Sequence, residues 1–435
     1  MSNQQEPSPQ SPSIPSLKWR FYQTLVVDHS PDFRRLCLAV LFERWAAFVL
    51  ISTVVVMLCE RFGFSRPSAL RLWGLVSAAS YVGSLPGGQL MDRTVTPRRG
   101  IGLAALALFL GYVALSIRLQ VSLYVALAFL ITGHSFFKPS TQRLIAAIYP
   151  SGDRRLESAQ LLLYFTANIG AAAGSLLAGL LARNAGWDVT YAGSALLMSL
   201  GVALLSRVRV DQEASLFSTV DHDCLHSEQN VVPIRNRGSI ILGLTMAMFL
   251  FSLCTAQMEG AILLWAKDRI DPVLIGFSVP IAWFLAFPAV LVLLLSPIQL
   301  ALLPTLKDRF GLCRLIAMGL LAAAASFVVL LPTTLWSSRV SMAWLASSLF
   351  CFVIAELLIA PLGLSLLLRC IPKRFVGAVT GLWYGAGALG YYVGGEIGAL
   401  WSLWPTQRVL ILLSALPLIG AALVWHARLD DVQES

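Results

Sequence analysis

Apolar runs of about 20 residues, long enough to cross roughly 30 Å of hydrocarbon, recur along almost the whole chain and constrain it more than any other feature. Twelve are readable, at 36–58, 70–91, 99–117, 121–148, 157–182, 188–206, 238–266, 274–303, 312–331, 340–368, 376–401 and 407–426. Backbone groups in lipid must satisfy one another, which leaves helices or a closed barrel, and no segment shows the alternation of a barrel strand. The chain is therefore expected to be an all-α membrane protein with twelve transmembrane helices. With 57% hydrophobic and 13% charged residues, a soluble core under a solvated surface is excluded.

The polar segments between the runs give the organisation. Residues 1–35, rich in Ser, Pro and Gln, are expected to form a disordered leader without a signal-peptide pattern. The longest internal polar stretch, 207–237, divides the runs six and six, giving halves at 36–206 and 238–427 and a tail at 428–435. Counting Lys and Arg between the runs, twenty fall on the side of the termini and nine on the other, so both termini are expected in the cytoplasm of a cell membrane. The net charge of +9 is then mostly topological, with anionic lipid rather than nucleic acid as the partner. The eighth run holds Pro280, Pro288 and Pro297, which predicts a kink or break. Seven cysteines form no close pair and read as packing residues, and the cluster of His222, Asp223, Cys224 and His226 in the linker lacks the second ligand pair a metal site needs. No metal or other cofactor is expected.

A charge inside hydrocarbon costs at least a few kcal/mol, so those that remain are the candidates for function. They are Glu43 and Arg44 in span one, Lys138 in span four, Glu259 in span seven, Glu356 in span ten and Glu396 in span eleven. At 1.5 Å per residue, Glu43 lies about 10 Å in from the side of the termini, Lys138 about 15 Å, Asn168 about 16 Å and Glu356 about 20 Å. These groups would meet near one level between the two halves, where a transporter binds its substrate; the bland alternative is a structural ion pair. Glu259 reads either as functional or as a solvated helix-end acid, and Glu396 as lumen-facing or as packing. His134 reads as a packed histidine.

Short segments make the reading specific. Phe42-Glu43-Arg44-Trp45 resembles the second half of an E-x-x-E-R-F motif, and Gly87 to Arg93 with Arg98 and Arg99 resembles a G-x-x-x-D-R loop centred on Asp92 and Arg93. The run Gly133-His134-Ser135-Phe136-Phe137-Lys138-Pro139 is similar to G-x-x-x-x-K-P, and Tyr164 to Gly170 to F-Y-x-x-x-N-x-G. Glu356 to Ser365 is similar to E-L-x-x-x-P-x-G-L-S, and Gly381-Leu382-Trp383-Tyr384 extends the likeness. Over about 36–426, in order, the chain resembles the proton-dependent oligopeptide transporter family of the major facilitator superfamily.

That resemblance implies a major facilitator fold of two six-helix halves and proton-coupled symport of di- or tripeptides by a monomer. It makes Glu43, with Arg44 and Lys138, the proton-coupling group. Arg44, Lys138, Asn168, Glu356 and Trp383 become the substrate site, and Asp92, Arg93, Lys138, Glu356 and Glu259 the gates, with a Lys138–Glu356 ion pair among them. The chain also departs from the pattern. Val40 replaces the first acid of span one, Ile51 a basic residue, Gln257 the acid of span seven and Phe287 an Asn in span eight. These changes are expected to remove most of an outer ion-pair gate and one titrating group. A changed substrate, such as a drug or nitrate, or a sensor that binds without transporting, remain alternatives. An enzyme is not expected, because no nucleophile, metal or paired-acid motif is present.

Overall fold

Helices form wherever the apolar runs lie, and in a computed structural model describing residues 29–149, 153, 155–209, 234–274, 276–369 and 376–426 they make twelve long segments. Span one is Pro31–Ile51 continued by Val54–Phe62, span two Arg66–Thr94, span three Pro97–Ser116, span four Gln120–Ile148, span five Arg155–Asn184 and span six Gly186–Ser206. Span seven runs from Ile234–Ala256 through a π turn at Gln257–Ala261 into Ile262–Arg269, and span eight from a 3-10 turn at Ile281–Leu285 into Ala286–Phe310. Spans nine to twelve are Leu312–Val328, Met342–Arg369, Val376–Leu400 and Thr406–His426. Among the described residues nine helices have the length and hydropathy of a membrane span, and the bent pair of span one makes a tenth. Spans two and eleven, at 29 and 25 residues, are also long enough to cross.

Local chemistry sets the ends. Ser30 Oγ accepts from the Phe33 N–H at 3.2 Å, Pro31 occupies the first turn, and Asp32 adds a favourable charge there. Span one therefore starts at Pro31, so residues 31–35 belong to the helix and not to the leader. The remainder of the expected leader up to 28, residues 210–233 of the linker with its His222, Asp223, Cys224 and His226, and the tail from 427 lie outside the described residues.

Two boundaries depart from the sequence expectation. Span one bends by 52° at Ser52 and Thr53, whose hydroxyls donate to the carbonyls of Phe48 and Val49 at 2.5 Å each. Such back-bonding competes with the helical ladder, and Thr53 Oγ1 is also 3.0 Å from the Tyr191 hydroxyl of span six, which fixes the bend. Span eight starts later than expected: β1 (Val273–Leu274) and β2 (Phe277–Ser278) form an antiparallel turn around Gly276, whose φ of 78° suits a residue without Cβ. Pro280 then precedes the 3-10 turn and Pro288 falls in the first helical turn, so these prolines begin the span rather than break it. Pro297 lies within the continuous helix Ala286–Phe310.

The apolar core divides with the sequence. One cluster draws almost wholly on residues 33–208, a second on 240–424. Between them lie small groups such as Ala78, Ala256, Ala388 and Tyr391, and Ala171, Ala172 and Ala289. The seam is thus made of small side chains that let backbones approach, as helices in lipid require. A Cβ on Gly74 of span two would lie 2.8 Å from the Cα of Gly395 in span eleven.

Within the second half, the fully buried Gln257 ties span seven to span eleven. Its Nε2 donates to the Gly394 carbonyl at 2.6 Å, and the Trp401 indole donates to its Oε1 at 3.1 Å. Gln257→Leu is expected to destabilise the protein by about 1–3 kcal/mol, because the Trp401 N–H then has no acceptor. A lowered Tm in detergent, against an unchanged Tm for the exposed Leu382→Ala control, is the result that checks it.

Candidate functional site

Glu43 is 1% exposed in the middle of span one. Arg44 folds back over it: Nε donates to Oε2 and Nη2 to Oε1, both at 2.5 Å. Neighbours in a helix sequence do not ordinarily face one another, and span five packs closely against span one at this point. A Cβ on Gly170 would lie 2.9 Å from the Arg44 Cβ and 2.6 Å from the Leu41 carbonyl, so only glycine leaves room. His134 of span four completes the group, with Nδ1 3.4 Å from Glu43 Oε1.

Span four is oriented by its flanking residues. Gly133 packs against Leu108 of span three, and Ser135 Oγ donates to the Ser80 carbonyl of span two at 3.2 Å. His134 and Lys138, four residues apart, share the remaining face. Lys138 is solvent-exposed, with Nζ 5.6 Å from the ring centroid of Tyr384 on span eleven, a cation–π contact from one half to the other. The expected ion pairs of Lys138 with Glu43 and Glu356 are not formed in this conformation. Glu43 has both oxygens taken by Arg44, and among the described residues Glu356 has no ion-pair partner. Glu356 is partly exposed and lies in electrostatic range of Tyr164, which also bonds to Asn168 and to Ser296 of span eight. Asn168 Nδ2 donates to the Tyr164 carbonyl at 3.0 Å. Asn168, Tyr164 and Glu356 therefore form one polar strip from span five to span ten.

Two expectations require correction. Trp383 is 3% exposed, its ring seated on Gly363 of span ten, so it packs the second half and does not line the space between halves. Tyr384, one position on and about 100° around the helix, is the aromatic group that faces Lys138. Glu259 is not a helix-end acid, since the helix continues to Arg269. It sits in the π turn, whose extra residue per turn re-aims it, and Tyr391 of span eleven donates to its Oε1 at 3.4 Å. The side chains of Asp92 and Arg93 lie outside the described residues, although their backbone is helical in span two.

At Val40, Ile51 and Gln257 the expected outer pairs are absent, and other residues join the halves at that end. At the end opposite the termini, Lys267 of span seven pairs with Glu60 of span one, and Asp268 with Arg66 of span two. Arg71 of span two pairs with Glu396 of span eleven at 2.9 Å, which gives Glu396 a role at the rim. Arg183 donates to the Ser278 carbonyl and the Trp283 indole to that of Leu176, each at 2.9 Å. All five contacts join one half to the other. The basic members were visible as interfacial charges, and the acids Glu60 and Asp268, at the same membrane depth, were the available signal for pairing.

The Major Facilitator Superfamily profile matches residues 36–395. The chain belongs to that superfamily. Among curated relatives of this facilitator, Peptide transporter YePEPT of Yersinia enterocolitica is 24% identical, covering 77% of this chain and 80% of the relative. Dipeptide and tripeptide permease A of Proteus mirabilis is 25% identical, covering 83% and 84%. In three dimensions the facilitator superimposes on a mutant of the peptide transporter POT in complex with alafosfalin with a TM-score of 0.82, at 19% identity over 94% of this chain and 97% of that one. A POT family transporter in complex with 5-aminolevulinic acid gives a TM-score of 0.81 at 18% identity over 92% and 96%. These likenesses establish the two-half facilitator fold.

Because the ion pairs of the rim are about half exposed, each contributes at most about 1 kcal/mol. Reversing one charge in Arg66→Asp is expected to loosen the closed end, and adding Asp268→Arg to restore it. Spin labels placed on the two halves at that end check this, as a lengthened distance in the single variant and a native one in the double.

Proposed function

We propose that this facilitator is a secondary active transporter that carries di- and tripeptides with protons by alternating access. The observation that carries the reading is the placement of two opposite charges without ion-pair partners among the described residues, Lys138 on one half and Glu356 on the other, both reachable by solvent. A short peptide is a zwitterion of fixed ends and variable side chains, and fixed charges at the ends recognise it regardless of what lies between. Lys138, with Arg44 when released, binds the carboxylate; Glu356, with Asn168 and Tyr164, binds the amino terminus. The names of the curated relatives support the same class of substrate.

Glu43 supplies the coupling. As a carboxylate it holds both donor edges of Arg44; once protonated it loses the charge-assisted bonds, and the guanidinium is freed for the peptide carboxylate. Proton and substrate thereby favour each other at one site. Glu259, bound by Tyr391 across two spans of the second half, and the Asp92–Arg93 loop serve the gates. The excess of Lys and Arg on the side of the termini supports an orientation with both in the cytoplasm, and the bacterial relatives a bacterial inner membrane. One chain holds the whole site, in keeping with a functional monomer.

Uptake of labelled dialanine into proteoliposomes tests the proposal. Wild-type protein is expected to accumulate dialanine with an inward proton gradient and only to equilibrate it without one. Glu43→Gln is expected to lose accumulation by at least about tenfold while retaining exchange, and Glu356→Gln to raise KM by a similar factor through loss of a charge-assisted contact. No dialanine flux under either condition would overturn the peptide assignment in favour of another small charged metabolite.

A further inference from the structure

We propose that His134 is the group through which protons pass between the space separating the halves and the buried carboxylate of Glu43. The proposal rests on the reading of Glu43 as the coupling acid and adds the route to it. At 1% exposure Glu43 does not meet solvent, whereas His134 is 23% exposed with Nδ1 3.4 Å from Glu43 Oε1, one small ring movement from the roughly 2.7–3.2 Å of a hydrogen bond.

The other groups around Glu43 do not serve. Arg44 binds both oxygens and, as a guanidinium, keeps its proton. Tyr112 of span three and Tyr81 of span two lie in electrostatic range of Arg44, but Tyr112 is fully buried, with its hydroxyl unbonded, and Tyr81 packs its ring at a tilt against Tyr391. Lys138, one turn along span four, points to Tyr384. Span five meets span four nearer the termini through Gln160 and Gln142, which do not titrate. Among these groups only the imidazole has two ring nitrogens, one to face Glu43 and one to offer to the space between the halves.

The transfer balances without a further reactant. In the neutral ring the Nδ1 proton faces Glu43 and the Nε2 lone pair is free. A proton from solvent binds Nε2, the Nδ1 proton moves to Glu43 Oε1, and the ring is again neutral, now protonated at Nε2. One proton has reached the carboxylate, and the reverse sequence returns it when the cavity faces the other side. Gly133 and Ser135, each packed against a neighbouring span, hold the ring on this face. His134 thereby offsets the loss of an acid at Val40, since a relay replaces a second carboxylate as the path to Glu43.

The test compares wild type with His134→Asn, which keeps a donor toward Glu43, and His134→Gln, measuring dialanine counterflow without a gradient and gradient-driven accumulation from about pH 8 to about pH 6. The expected result is counterflow within about twofold of wild type, with accumulation lowered at least tenfold and its pH dependence flattened in both variants. Unchanged accumulation and pH profile would overturn the proposal. Loss of counterflow in both variants would overturn it as well, by assigning His134 a structural role. Wild-type counterflow of dialanine, measured alongside, fails only if the peptide reading itself is wrong.

Discussion

The bidentate contact of Arg44 on Glu43 governs the arrangement of the interior. A carboxylate removed from water is tolerated when its charge is matched and its oxygens are bonded, and here the partner is the adjacent residue, folded back over it. Since Glu43 is neutralised within its own helix, Lys138 is left uncommitted and reaches over Tyr384 in the opposite half. Glu356 is left equally uncommitted. A structural pairing of Lys138 with either acid would have consumed the charges on which the proposed recognition of a zwitterion rests.

Much of this was legible in the chain. Apolar length fixed the number of spans, because the rule that lipid imposes on the backbone is strict and leaves no other element. The interior charges were legible for the same reason, being too costly to persist without use. What escaped were features decided by tertiary neighbours. The bend at Ser52 and Thr53 depends on hydroxyls choosing carbonyls of the preceding turn and on Tyr191 in span six. The surroundings of Glu259 escaped because they depend on a π turn, which continues the helix past it to Arg269 and brings it to Tyr391. Trp383 and Tyr384 are adjacent and both aromatic, so which faces the cavity rests on the pairing of one ring with Gly363, a contact no spacing rule encodes.

The halves join chiefly through small residues and few polar contacts. Gly74 and Gly395 bring spans two and eleven together almost backbone to backbone, while each half keeps its own apolar core. Rocking one half against the other therefore disturbs a narrow seam and leaves both cores intact, which is the mechanical requirement of alternating access. In this conformation ion pairs link the halves at the end away from the termini, beside a cavity of about 430 Å³ lined by both halves, and Lys138 is exposed.

The position of the gate follows from the same economy of charge. An ion pair in the hydrocarbon region is costly to separate, since each opening strands two charges without water. At Val40, Ile51 and Gln257 this chain carries no charge, and the ion pairs between the halves stand instead at the rim, between Glu60 and Lys267, Arg66 and Asp268, and Arg71 and Glu396. There each partner is about half exposed and water solvates both sides when the pair opens, so closure and opening differ by little free energy. Such exposed pairs are screened by salt, with a Debye length near 8 Å at physiological ionic strength, whereas the Glu43–Arg44 contact in the interior is shielded from it. The two kinds of contact thus differ physically: the rim pairs are open to water and salt, and the Glu43–Arg44 contact holds a buried carboxylate.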